Sequence, residues 1–124
     1  MNVNKSKNIG VSLGYAFRGI GYALKYNRNL KIHFLISLLV IIVSIFFHVN
    51  AFEMGILGVM ILVVISSEMI NTAIEQMTDL ITKEHHEEAK IAKDVAAGMV
   101  LVSAIGSIVV GVLIFVPHIL RLLR

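Results

Sequence analysis

The run LKIHFLISLLVIIVSIFFH, residues 30–48, decides which solvent this chain folds in. From Ile36 to Phe47 it is apolar almost throughout, and Lys31 and His33 sit at its entrance, where long side chains can snorkel toward water. Two further apolar runs follow, residues 54–74 and 95–116. Each run has about 20 residues, which at ~1.5 Å per helical residue crosses a hydrocarbon core of ~30 Å. The predicted fold is therefore an all-α membrane protein with three transmembrane helices.

Composition agrees. The 124 residues are 57% hydrophobic and only 15% charged, with a mean hydropathy of +0.86. A soluble domain of this length carries roughly a quarter charged residues, so the apolar excess needs lipid. The length, the single proline and the lack of a polar linker point to one domain, residues 1–124. With no cysteine, disulfide frameworks, thiolate zinc sites and cysteine nucleophiles are excluded together. The net charge of +3 does not point to nucleic acid, because the basic residues flank apolar spans and no aromatic stripe interleaves them. The lead before the first span is too long, and lacks the small-residue site, for a cleaved signal peptide.

Upstream of the first span, Met1–Asn8 reads as loose and polar, and residues 9–28 as an amphipathic helix. Leu13, Ala16, Phe17, Ile20, Ala23 and Leu24 share one face, with Arg18, Lys25 and Arg28 off it, the pattern of a helix lying in the membrane interface. A helix packed on the bundle is the alternative. Between the spans, His48–Glu53 reads as a tight connection and Thr82–Lys93 as a charged loop, and Pro117 suits a helix end. Lys5, Lys7, Arg18, Lys25, Arg28 and Lys31 precede the first span, and Lys83, Lys90 and Lys93 lie between the second and third. The connection between the first two spans has no Lys or Arg, so the positive-inside rule puts the N-terminus and the 82–93 segment in the cytoplasm; Arg121 and Arg124 are a minority on the other side.

The chemistry lies in EMINTAIEQMTD, residues 68–79. At 100° per residue, Glu68, Asn71, Glu75 and Asp79 fall within an arc of about 80° on one helix face. A carboxylate as deep as Glu68 costs roughly 2.5–3.5 kcal/mol on insertion scales, so it needs a partner, a wet cavity or a task. A purely structural interhelical cluster would account for one such acid more easily than for three acids and an amide in register. The stripe suits hard cations, which prefer oxygen ligands, and a general base. Lys93-Asp94 lies level with the outer end of the stripe, where a lysine can neutralise a polyphosphate and an aspartate can orient it or hold a metal. His85-His86 alone does not specify a metal site, and Glu87, Glu88 and Lys90 read as a solvated charge run. There is no Walker A loop, no Ser-His-Asp pattern, and Gly19-Ile-Gly21 lacks the strand and third glycine of a dinucleotide fingerprint.

The spacing Glu68-x-x-Asn71-Thr-Ala-x-Glu75-x-x-x-Asp79, followed by Ala92-Lys93-Asp94-x-Ala-Ala, resembles the small prokaryotic diacylglycerol kinase family. The resemblance extends over Gly14-Tyr15-Ala-Phe17-Arg18-Gly19, Asn29–His33 and Gly111–Pro117, and the last two are similar to the Gram-positive branch, whose members are typically undecaprenol kinases. It implies a homotrimer of three-span subunits that transfers the γ-phosphate of ATP to a membrane lipid hydroxyl with Mg²⁺. By position, it implies Glu68 as proton acceptor and Glu75 as metal ligand, with Asn71 and Asp79 lining the site. Tyr15, Glu84, His86, Lys93 and Asp94 would contact nucleotide, with His85 inside the same stretch. The family's second metal-binding glutamate falls at Asn27, whose amide oxygen could ligate Mg²⁺ without the negative charge. The resemblance favours undecaprenol as acceptor, with diacylglycerol second. Two other readings stay open on the residues alone. An ion or proton pathway explains Glu68 but not Lys93-Asp94. A non-catalytic homologue binding lipid or nucleotide fits Asn27.

Overall fold

The structure is a computed structural model and describes residues 8–124; the loose lead expected at Met1–Asn8, with Lys5 and Lys7, falls outside it except for Asn8. Four helices run in order: α1 Ile9–Tyr26, α2 Arg28–Phe46, α3 Ala51–Ile81 and α4 Glu87–Leu122. The last three are long and apolar enough to cross a membrane.

Asparagines start the first three helices. Asn8 Oδ1 accepts from Gly10 N, Asn27 Oδ1 from Leu30 N, and Asn50 Oδ1 from Glu53 N. Each satisfies a donor that the first helical turn leaves free. Asn50 and Glu53 form a reciprocal capping box, since Glu53 Oε2 accepts from Asn50 N at 3.3 Å. The α2–α3 connection is shorter than the predicted His48–Glu53, because this box brings residues 51–53 into the helix. It closes with two backbone bonds, Val49 N to Ser44 O and His48 N to Ile45 O, around His48 at φ 51°. That pairing is a Schellman motif, with histidine in the left-handed position that usually holds glycine.

Two further expectations are corrected. Residues 87–93 are helix, not loop. Glu87 and Glu88 lie in the first turn of α4, where the helix dipole favours acids, so the charge run is a helix start. Pro117 lies inside α4, which continues to Leu122. An interior proline removes one ladder bond and crowds the carbonyl four residues back, at a cost of about 3 kcal/mol, but the turn beyond it is anchored: His118 Nε2 lies 3.0 Å from Glu53 Oε2, and its ring packs 6.5 Å from that of Phe47.

α3 packs chiefly along α4, with α2 against α3 and α1 against both α2 and α3, at the end away from the α2–α3 turn. Few apolar side chains are buried within the chain; Ala23, Leu30, Leu57, Val64, Ala96 and Ile114 are. Leu38, Leu39, Leu62, Leu101, Val102 and Leu113 face outward, as expected where lipid replaces water. In lipid, packing and interhelical hydrogen bonds hold helices together; Ser67 Oγ and Ser103 Oγ pair at 2.9 Å across α3 and α4.

Candidate active site

The buried groups of α3 are mostly polar. Ser67, Glu68, Asn71 and Thr72 are all buried, with Glu68 only 1% exposed. The polar stripe read from the sequence thus faces protein at its deep end and opens outward through half-buried Glu75 to exposed Asp79.

Glu68 is buried where the α1–α2 junction and α2 meet α3. The chain leaves α1 and enters α2 at Asn27, which ends one helix and caps the next. Its Nδ2 donates to Glu68 Oε2 at 3.1 Å and to Thr72 Oγ1 at 2.6 Å. Thr72 Oγ1 donates in turn to the Glu68 carbonyl at 2.9 Å. On the other side, His33 Nε2 stands 3.5 Å from Glu68 Oε1. An interhelical hydrogen bond in a membrane returns about 0.6 kcal/mol on average and at most about 1.7. At the average value, these contacts fall short of an insertion cost of roughly 2.5–3.5 kcal/mol, which leaves room for a further partner of the carboxylate.

One turn outward, Asn71 Nδ2 donates to Glu75 Oε1 at 3.2 Å, while Asn71 Oδ1 is buried with no hydrogen-bond partner in the chain. An unpaired buried acceptor costs about 1–3 kcal/mol and points to a ligand that completes it. The donor set, an amide oxygen beside a carboxylate, is of the hard kind that Mg²⁺ takes. Among the described residues no three His, Asp or Glu side chains gather as a self-sufficient metal cage. Mg²⁺ commonly binds through one or two carboxylates plus substrate phosphates, so the residues present fit it.

At the outer end, the α3–α4 turn encloses a cleft of about 640 Å³ whose walls include Asp79, Glu84, His85, His86, Lys93 and Asp94. Small-molecule sites commonly span roughly 300–1,000 Å³. Lys93 Nζ pairs with Asp79 Oδ1 across the two helices, and Lys90 Nζ with Asp94 Oδ2 at 2.9 Å. Thr82 Oγ1 accepts from Glu84 N and fixes the turn.

A family model described as prokaryotic diacylglycerol kinase matches residues 14–115. The chain belongs to this family. It is 38% identical to the diacylglycerol kinase of Synechocystis sp. over 117 residues, 94% of this chain and 67% of that protein. It is 41% identical to the undecaprenol kinase of Bacillus subtilis over 106 residues, 86% of each chain. The diacylglycerol kinase of Escherichia coli matches at 26% over 105 residues, 85% of this chain and 86% of that one.

Of the residues that the diacylglycerol kinase resemblance pointed to, Glu84, His85, His86, Lys93, Asp94 and Asp79 share one cleft. Tyr15 is not among its walls; it lies exposed on α1 with the Arg18 guanidinium 5.9 Å above its ring. Asn27 bonds Glu68 and Thr72, and its hydrogen bonds do not include Glu75. Sequence reasoning passed over His33, Thr72 and Lys90. Thr72 carried a usable signal, one helical turn from Glu68 on a buried face. His33 and Lys90 carried none, since a polar residue at a span entrance and a lysine in a charge run both read as solvated.

Proposed function

We propose that this chain is an ATP-dependent lipid kinase at the cytoplasmic face of the plasma membrane, with undecaprenol as its first acceptor and diacylglycerol as the second. The observation that carries the reading is the Glu68 carboxylate, 1% exposed at the deep end of a polar stripe that opens into the α3–α4 cleft. Family membership supports the class of reaction. The even coverage of the Bacillus subtilis undecaprenol kinase supports the choice of acceptor. The basic residues at the α1 and α3–α4 end, against none in the α2–α3 turn, support the orientation.

In this reading the lipid hydroxyl approaches Glu68 from the bilayer side. Glu68 takes the hydroxyl proton as the oxygen attacks the γ-phosphorus. The bond from γ-phosphorus to the β,γ-bridging oxygen breaks, and ADP leaves with its electron pair. Lys93 balances charge on the phosphates, moving from Asp79 to do so. Glu75, with the free Asn71 carbonyl oxygen beside it, would hold Mg²⁺, which supplies charge neutralisation at the phosphates when bound. Glu84, His85, His86 and Asp94 line the nucleotide side of the cleft.

The resemblance also implies a homotrimer. Tyr15 supports it: it lies outside the cleft of its own chain, and assembly would let α1 of one copy meet nucleotide held by another.

The test is turnover of purified protein with MgATP in mixed micelles. A higher kcat/KM for undecaprenol than for diacylglycerol is expected. The reverse order would replace the acceptor and leave the kinase class intact. ATP consumption that does not depend on any lipid alcohol would refute the kinase reading.

A further inference from the structure

We propose that Asn27 is a positioning residue for Glu68 and takes no part in holding metal. The inference rests on the kinase reading for the task of Glu68, but the contact itself can be tested without activity. The orientation of the Asn27 amide follows from its neighbours. Leu30 N, 3.0 Å away, can only donate, so the atom facing it is Oδ1. The Thr72 hydroxyl gives its one proton to the Glu68 carbonyl, so it can only accept from Asn27. Both Nδ2 protons therefore have acceptors, Glu68 Oε2 and Thr72 Oγ1.

The position needs three things at once. It must accept at the start of α2, donate to a buried carboxylate, and be short enough to do both from the α1–α2 junction. Asparagine meets all three. Aspartate keeps the cap but turns a second carboxylate oxygen toward Glu68 at about the present 3.1 Å. Glutamate is longer, and cap preference favours the shorter side chains. The amide also spans 41 residues of sequence to tie the α1–α2 junction to α3. The orientation of Glu68 toward a substrate hydroxyl thus depends on where α1 lies.

The experiment uses the full chain in mixed micelles. Asn27→Asp is near-isosteric and keeps the cap. It should lower kcat roughly 10²-fold, the size of effect that misplacing a catalytic group produces, while leaving KM for MgATP and the Mg²⁺ midpoint unchanged. Thr72→Val should lower kcat in the same sense, and Thr72→Ser should restore it. Asn27→Asp with wild-type kcat and a lower Mg²⁺ midpoint would overturn the proposal and make position 27 a metal ligand. A second arm reads the contact by melting. Asn27→Asp should lower Tm, and adding Glu68→Gln should raise it again, because carboxylate and amide have then exchanged places. A double variant that melts no higher than Asn27→Asp alone would overturn the contact. If wild-type protein phosphorylates neither lipid, the kinase reading fails and this melting arm still decides the contact.

Discussion

Among the described residues, two carboxylate–histidine pairs lie on the spanning helices, one toward each end of the bundle, and they are built differently. Glu53, at the α2–α3 turn, caps α3 with Asn50, meets His118 Nε2 at 3.0 Å, and lies beside Phe47. It is partly exposed, with its side chain 27% accessible. Glu68, at the other end, is fully enclosed, yet His33 stands 3.5 Å away and its neighbour Asn71 keeps an unpaired buried oxygen. The well-satisfied acid is where burial is cheap. The fully buried one, where burial is costly, has an unpaired Asn71 oxygen beside it. A carboxylate that fastens helices is expected to look like Glu53, and one kept for chemistry like Glu68.

The largest difference between them should appear on neutralising each acid. Glu68→Gln should lower kcat by about 10²–10⁴-fold, the usual loss of a general base, with nucleotide affinity nearly unchanged. A Gln variant keeping more than roughly a tenth of wild-type kcat would be too active for a lost base and would end the contrast.

Next in size is the cleft. Lys93→Met should raise KM for MgATP by roughly 10–100-fold, the range expected when a hydrogen bond to a charged group is lost. An unchanged KM would make Lys93–Asp79 a surface pair with no nucleotide role.

At the other end the effects should be on stability alone. One oxygen, Oε2, meets both Asn50 N and His118 Nε2, and Gln can keep the capping box at position 53, so Glu53→Gln removes the charge from the His118 contact and keeps the geometry. It should lower Tm in micelles by a few degrees and leave kcat untouched. A loss of turnover matching Glu68→Gln would show that the two pairs do not divide the work as described. The smallest effect should be at His48, whose φ of 51° suits glycine. His48→Gly should stabilise by roughly 0.5–1 kcal/mol, read as a modest rise in Tm; a fall would mean that the imidazole is held by contacts that outweigh its backbone strain.

The parts legible in the sequence were those set by local period. Three apolar runs of bilayer length marked the spanning helices. The spacing 68, 71, 75, 79 put three acids and an amide on one helix face, because α3 runs unbroken from Ala51 to Ile81. Capping was harder to see. Glu87-Glu88 looked like a loop, since acids that favour a helix start also favour water. Pro117 looked like a stop, because the Glu53–His118 contact that holds the turn beyond it spans 65 residues. The partners of Glu68 come from residues 27 and 33, brought to it only by the folding of α1 and α2 against α3. No local pattern encodes that meeting.

The central claim is that this chain moves a phosphoryl group from ATP to a lipid hydroxyl through Glu68. The direct measurement follows label from [γ-³²P]ATP in mixed micelles containing undecaprenol. Wild-type protein should carry the label into the organic phase as lipid phosphate, and Glu68→Gln should leave it on ATP. Label released as inorganic phosphate, or equal transfer by the two proteins, would contradict the account.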